Sequence, residues 1–141
     1  MVEDDVLILD EAEPPIVDRV LRGLKAFNEG QCGPSNKMPL VAQALIEGQP
    51  ADAGLVGYTA WGWLFTEKLW VADALRGRGL AGKLLTAAEG EAVRRGAKGG
   101  WLDTFNPKAR MLYERLGYEV CGEIPDFVAG RSRYFMKKLL R

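Results

Sequence analysis

Apolar residues in this chain fall into two patterns: stretches in which they recur every three or four positions, and short runs in which they crowd together. The first pattern predicts helices and the second strands. Val6 to Leu9 is a short apolar run and reads as a first strand. Pro14 and Pro15 suit the first turn of a helix, and Glu11 and Glu13 complement its positive end. Val17, Val20, Leu21, Leu24 and Phe27 then recur at helical spacing opposite Arg19, Arg22 and Lys25, so this helix is amphipathic and is expected to end before Gly30. The turn-rich stretch from Asn28 to Pro39 predicts a loop with at most one helical turn.

Pro39 to Glu47 fits a strand or a short helix by periodicity; the strand is favoured because GQPADAG follows as a hairpin-like connection into Leu55 to Trp61, a run of strongly β composition. Gly62 interrupts, and Leu64 to Ala72 resumes as a strand whose alternation puts Phe65, Glu67, Leu69 and Val71 on one face. After a glycine-rich loop, Ala81, Leu84, Leu85, Ala88 and Ala92 mark a helix, with Glu91 one turn from Arg95 and Gly96 as the stop. Gly99 to Phe105 reads as a strand. Asn106 and Pro107 cap and open a helix striped by Ala109, Leu112, Tyr113 and Leu116 and closed by Gly117. Tyr118 to Glu123 is then a strand, Ile124 to Ser132 a loop, and Arg133 to Leu139 a final strand. This order predicts an α/β (α+β) domain with a mostly antiparallel sheet and one parallel pair across the long helix.

The length of 141 residues suits one domain spanning 1–141, and 48% hydrophobic with 27% charged residues is a globular composition. Nineteen basic and nineteen acidic residues cancel, so no global charge favours nucleic acid or an anionic membrane. The apolar runs are too short to span a bilayer, and Glu3, Asp4 and Asp5 stand where an export signal needs positive charge, so the cytoplasm is the expected location. Cys32 and Cys121 read as free thiols, and no metal is expected. The chain has no histidine, which removes Ser-His-Asp and Cys-His chemistry and leaves proton transfer to Glu, Asp, Tyr, Lys, Cys or water.

Candidate chemistry concentrates in Val71 to Leu85, VADALRGRGLAGKLL, where a strand runs into a Gly/Arg loop that opens a helix. Such a junction aims unpaired backbone N–H groups and a positive helix end at one spot, an anion site. Gly77, Gly79 and Gly82 spell G-x-G-x-x-G, and Asp103 follows at about the distance of a ribose-binding acid. A dinucleotide site is nevertheless disfavoured, because the strand stops near Ala72 and leaves Asp73 to Arg76 between it and the glycines.

Arg76-x-x-Gly79-x-Ala81 followed by Gly82 and Lys83 resembles instead the pyrophosphate-binding motif of the GNAT N-acetyltransferase superfamily, [QR]-x-x-G-x-[GA]. About 25 positions on, Asn106-Pro-Lys-Ala109-Arg-Met-Leu112-Tyr113-Glu-Arg-Leu-Gly117-Tyr118 matches that family's N-x-x-A-x-x-[LF]-Y-x-x-x-G-[FY] pattern. The resemblance covers roughly Gly54 to Leu140. It implies a GNAT fold, with a central mixed, mostly antiparallel sheet of about six to seven strands, about four helices and splayed strands at the cofactor site. It further implies direct acetyl transfer from acetyl-CoA to a primary amine of a small molecule or peptide, with no acyl-enzyme, no metal and no nucleic-acid or membrane partner; a homodimer is compatible with it. Arg76, Gly77, Arg78, Gly79, Leu80, Ala81, Gly82 and Lys83 would cradle the pyrophosphate. Leu69, Trp70 and Val71 would pair with the pantetheine arm, a backbone N–H near Trp70 or Val71 would polarise the thioester carbonyl, and Asn106, with Lys108 beside it, would hold the arm from the other side. Tyr113 would protonate the leaving thiolate. For the base, Glu67, Asp103 and a water chain remain open, and Trp61 or Trp63 are candidates to line an acceptor pocket. A catalytically inactive acyl-CoA-binding sensor is the rival reading.

Overall fold

A computed structural model describes residues 4–141; Met1, Val2 and Glu3, the last of which is one of the acidic residues weighed above against an export signal, lie outside the described residues. By internal contacts the chain divides into two compact units, Met1–Ser35 and Asn36–Arg141.

The first unit contains α1, Pro14–Cys32, which opens on its prolines as expected. It runs past Gly30 and Asn28, so part of the predicted loop is helix. A glycine inside a helix costs only about 1 kcal/mol, whereas Gly33, at φ 80° and followed by Pro34, both turns the chain and prevents the helix from resuming. The Gly33 N–H closes the helix on the Glu29 carbonyl at 2.8 Å. Val6 to Leu9 is not a strand. It has no ladder partner, and an apolar run that short has no β structure of its own without one.

The second unit is a six-stranded sheet in the order β1-β2-β3-β4-β6-β5. β1 is Met38–Ile46, β2 Gln49–Ala60 and β3 Trp63–Val71; α2, Leu80–Arg94, crosses over to β4, Gly99–Thr104; α3, Pro107–Arg115, leads into β5, Glu119–Val128, and β6, Arg131–Leu139. Among the described residues only β3 and β4 are parallel, across α2. Three helices and one 3-10 turn, Asp73–Leu75, are present among the described residues, against about four helices expected.

The hairpins are tighter than their sequences suggest. Glu47 and Gly48, at φ 51° and 78°, make a two-residue turn whose twist suits antiparallel strands, so Gln49 to Ala53 enter β2 instead of forming a connection. Ala129 and Gly130 turn the chain in the same way, so most of the predicted Ile124 to Ser132 loop is strand, irregular only between Ile124 and Val128.

α2 packs on β1, β2 and β3 through Leu84, Leu85, Ala88 and Ala92, and Leu55, Leu64, Leu102 and Met136 complete the fully buried centre. Three alanine or leucine contacts per two turns make the apolar stripe that holds a helix on a sheet. None of the helices is long and apolar enough to cross a membrane among the described residues.

Candidate active site

β3 and β4 share a ladder at only three pairs: Trp63 with Gly99, Leu64 with Gly100, and Phe65 with Trp101. β3 continues to Val71 and β4 to Thr104, so beyond Phe65 and Trp101 the two strands are no longer paired. A β-bulge marks the parting. Val56 pairs with Lys68 and Gly57 with Thr66, which leaves Glu67 with no residue opposite. Gly57 makes this possible: a Cβ there would lie 2.1 Å from the Phe65 carbonyl oxygen.

The bulge also overturns the single face expected for β3. Thr66 is buried on the side of Leu64, Leu69 and Val71 pack against the core, Phe65 stacks on Trp101 with ring centroids 4.0 Å apart, and Glu67 stands exposed. An extra residue in the strand breaks the two-residue alternation on which that expectation rested. Lys68 Nζ lies 3.2 Å from Glu67 Oε1.

Val71 leads through the 3-10 turn to Gly79, which caps α2 in the left-handed region at φ 73°. Gly79 offers no capping side chain, and the first backbone bond of the helix is Lys83 N–H to the Gly79 carbonyl at 3.1 Å, so the N–H groups of Leu80, Ala81 and Gly82 precede the helical ladder. Beyond Gly77 and Gly79 the space where a Cβ would point is open. Arg76 is tied into the loop: its Nη1 meets Asp73 Oδ1 at 3.1 Å and its Nε donates to the Val71 carbonyl at 3.3 Å. Arg78 and Lys83 are exposed and, among the described residues, have no ion-pair partner. An open depression of about 520 Å³ lies here, lined by Gly79, Gly82, Lys83, Thr86, Ala87 and Leu116.

On α3, Asn106 Oδ1 accepts the Lys108 N–H at 3.0 Å, the cap foreseen for that helix, and its amide NH2 remains available as a donor. Tyr113 is 8% exposed within the core cluster, its ring 6.3 Å from that of Tyr118. Burial, and then the negative charge of Asp103, push its hydroxyl above the usual tyrosine value. Asp103 is paired with Arg133, whose guanidinium also lies over the Phe127 ring at 4.9 Å. Trp70 and Trp61 are exposed, while Trp63 and Trp101 border a separate hollow of about 280 Å³ with Cys121 and Phe135.

The strand edge from Leu69 to Val71 thus leads through the Asp73–Leu75 turn to the Gly79 cradle. A family model described as an acetyltransferase (GNAT) domain matches residues 40–120, the stretch that builds this arrangement. The chain belongs to the GNAT acetyltransferase family. It is 39% identical over 128 residues to an acetyltransferase of Agrobacterium fabrum, covering 91% of this chain and 90% of that protein. It is 36% identical over 88 residues to blasticidin-S acetyltransferase of Streptomyces morookaense, covering 62% of this chain and 65% of that one. The crystal structure of a protein from Agrobacterium tumefaciens superposes with a TM-score of 0.90 at 35% identity, covering 97% of this chain and all of that one.

GNAT acetyltransferases use acetyl-CoA. The residues present fit that donor: the uncapped α2 N-terminus behind open glycines suits a diphosphate, Arg78 and Lys83 are free to balance its charge, and the strand edges of β3 and β4 part to admit an extended arm. Among the described residues no cluster of His, Cys, Asp or Glu is placed to hold a metal ion. The residue that spacing did not flag is Thr66. Its hydroxyl is buried without a hydrogen-bond partner, and only the bulge reveals its position.

Proposed function

We propose that this GNAT protein, acting as one domain, transfers the acetyl group of acetyl-CoA directly to a primary amine of a small molecule or peptide in a ternary complex. The observation that carries the reading is the parting of β3 from β4 after Phe65 and Trp101, on the strand that leads to the Gly79 cradle. The similarity to blasticidin-S acetyltransferase supports a small-molecule acceptor.

In this reading the N–H groups of Leu80, Ala81 and Gly82 bind the diphosphate, and Arg78 and Lys83 neutralise it. Arg76 acts mainly by bracing the loop through Asp73 and the Val71 carbonyl. Leu69, Trp70 and Val71 offer backbone partners to the pantetheine arm, and Asn106 offers its amide NH2. Bound acetyl-CoA supplies a thioester carbonyl open to an amine and a thiol leaving group. Tyr113, kept protonated by its buried setting, holds the proton for the departing sulfur. Glu67 takes the proton of the amine, directly or through water. Asp103 is less suited to that role because it is committed to Arg133.

That same commitment of Asp103, together with the contact of Glu67 with Lys68, favours a second reading in which the chain binds acyl-CoA without turning it over. Titration with acetyl-CoA across an amine panel, following free thiol, separates the two: thiol release that depends on the amine supports the transferase, and binding without release across the panel supports the sensor.

A further inference from the structure

Thr66 is the first residue of β3 beyond the last pair with β4, and it sits at the bulge opposite Gly57. It is 5% exposed and lies on the same buried face of β3 as Leu64, at 0%. Its Oγ1 has no hydrogen-bond partner. A buried hydroxyl left without a partner costs about 1–3 kcal/mol, and valine would fill the same space without that cost. An orphan of this kind at the mouth of the gap is explained if a ligand completes it. β4 offers β3 no ladder partner beyond Phe65, although on its other edge it stays paired with β6 through Thr104.

We infer that Thr66 is a positioning residue whose hydroxyl hydrogen-bonds the amide-bearing arm of acetyl-CoA where that arm passes between β3 and β4. The inference rests on the acetyl-CoA reading above and adds to it a side chain that no motif marks. A hydroxyl can both donate to an amide carbonyl and accept from an amide N–H, so either group of the arm satisfies it.

The test compares Thr66→Val and Thr66→Ser with the unaltered protein by calorimetric titration with acetyl-CoA and with adenosine 3′,5′-bisphosphate, which carries phosphates but no arm. Melting temperature without ligand is the second readout. Thr66→Val is expected to weaken acetyl-CoA binding about 3- to 10-fold, the loss of one hydrogen bond. Affinity for the bisphosphate should be unchanged, the melting temperature without ligand should be equal or higher, and Thr66→Ser should regain most of the affinity. Unchanged acetyl-CoA affinity in Thr66→Val overturns the inference. So does a parallel loss of both ligands, or a lowered melting temperature without ligand, either of which makes the hydroxyl structural. If the unaltered protein binds no acetyl-CoA, the acetyltransferase reading fails first and this inference with it.

Discussion

Tyr118 donates its phenolic hydrogen to Glu89 Oε2 at 2.7 Å, and both residues are buried where α2 faces the start of β5. Lys138 on β6 completes the arrangement, with its Nζ 3.0 Å from Glu89 Oε1. The carboxylate is therefore satisfied by one neutral and one charged donor inside the apolar wall that α2 forms. Removing a single member of a buried charged pair strands the other, which costs more than the pair itself contributes. Glu89→Ala should lower the free energy of unfolding by about 2–4 kcal/mol in urea titration, somewhat less than for a fully buried pair because the Lys138 side chain is 27% exposed. Tyr118→Phe should cost about 1–2 kcal/mol, since Glu89 keeps Lys138. Burial and the bond to Glu89 push the Tyr118 hydroxyl well up, so its stabilising contribution is present below the ordinary tyrosine pKa of about 10 and is lost only at more alkaline pH. Tyrosinate absorbance should accordingly lag that of a free tyrosine; ionisation of the Tyr118 hydroxyl at its ordinary value would contradict the bond.

Two residues further along α2, Glu91 accepts hydrogen bonds from Arg94 at 2.7 Å and Arg95 at 2.8 Å, and these hold its carboxyl from 4.5 down to about 2. Arg95 also reaches the Met38 and Pro39 carbonyls and Thr59 Oγ1, so the contact links α2 to β1 and β2. A folded-state pKa below the unfolded value means that the contribution is present above 4.5 and is lost as pH falls toward about 2. Glu91→Gln should flatten the pH dependence of unfolding inside that window and change it little above. An acid slope equal to that of the unaltered protein would assign acid sensitivity to other groups.

The cradle is tested most directly at Gly79. A Cβ there meets open space rather than a neighbour, so Gly79→Val should fold with a penalty set by its φ of 73°, on the order of 1–2 kcal/mol, while its side chain occupies the approach to the α2 N-terminus. Gly130→Val, at φ 72° in the distant β5–β6 turn, carries the same backbone strain and serves as the control. Acetyl-CoA affinity should be lost in the first variant and kept in the second. Equal loss in both would trace the effect to stability, and retained affinity in Gly79→Val would place the phosphates elsewhere.

How much of this was legible from the chain depended on the range of the interaction. The Arg76 to Lys83 loop and the Asn106 cap are local: glycines, a proline and a capping asparagine act within a few residues, so spacing alone locates them. The parallel β3–β4 pair follows from a strand, helix, strand order. The bulge at Glu67 does not, because it arises from Gly57 on a different strand letting β3 approach, and it inverts every side chain after it. Glu89 was equally hidden, since its partners lie 29 and 49 residues away. Val6 to Leu9 failed for the opposite reason: β composition is a local property, but a strand exists only where another strand receives it.

Tyr113 joins local and long-range evidence. Its motif places it on α3, and the fold buries it in the core near Asp103, where burial first and the Asp103 charge second favour the protonated hydroxyl. A proton donor must still hold its proton at working pH, and a raised pKa ensures that, at some cost in acidity. Tyr113→Phe should lower the rate of the chemical step about 100-fold, within the usual span for loss of a general acid, while acetyl-CoA affinity stays nearly the same. Single-turnover mixing with a reactive amine, following thiol release, isolates that step from product release. Asp103→Asn removes the second cause of the shift, so it should move the alkaline limb of the rate profile to lower pH if the Tyr113 hydroxyl is the group that titrates. An unchanged single-turnover rate in Tyr113→Phe, or an alkaline limb indifferent to Asp103→Asn, would transfer the proton-donor role to water.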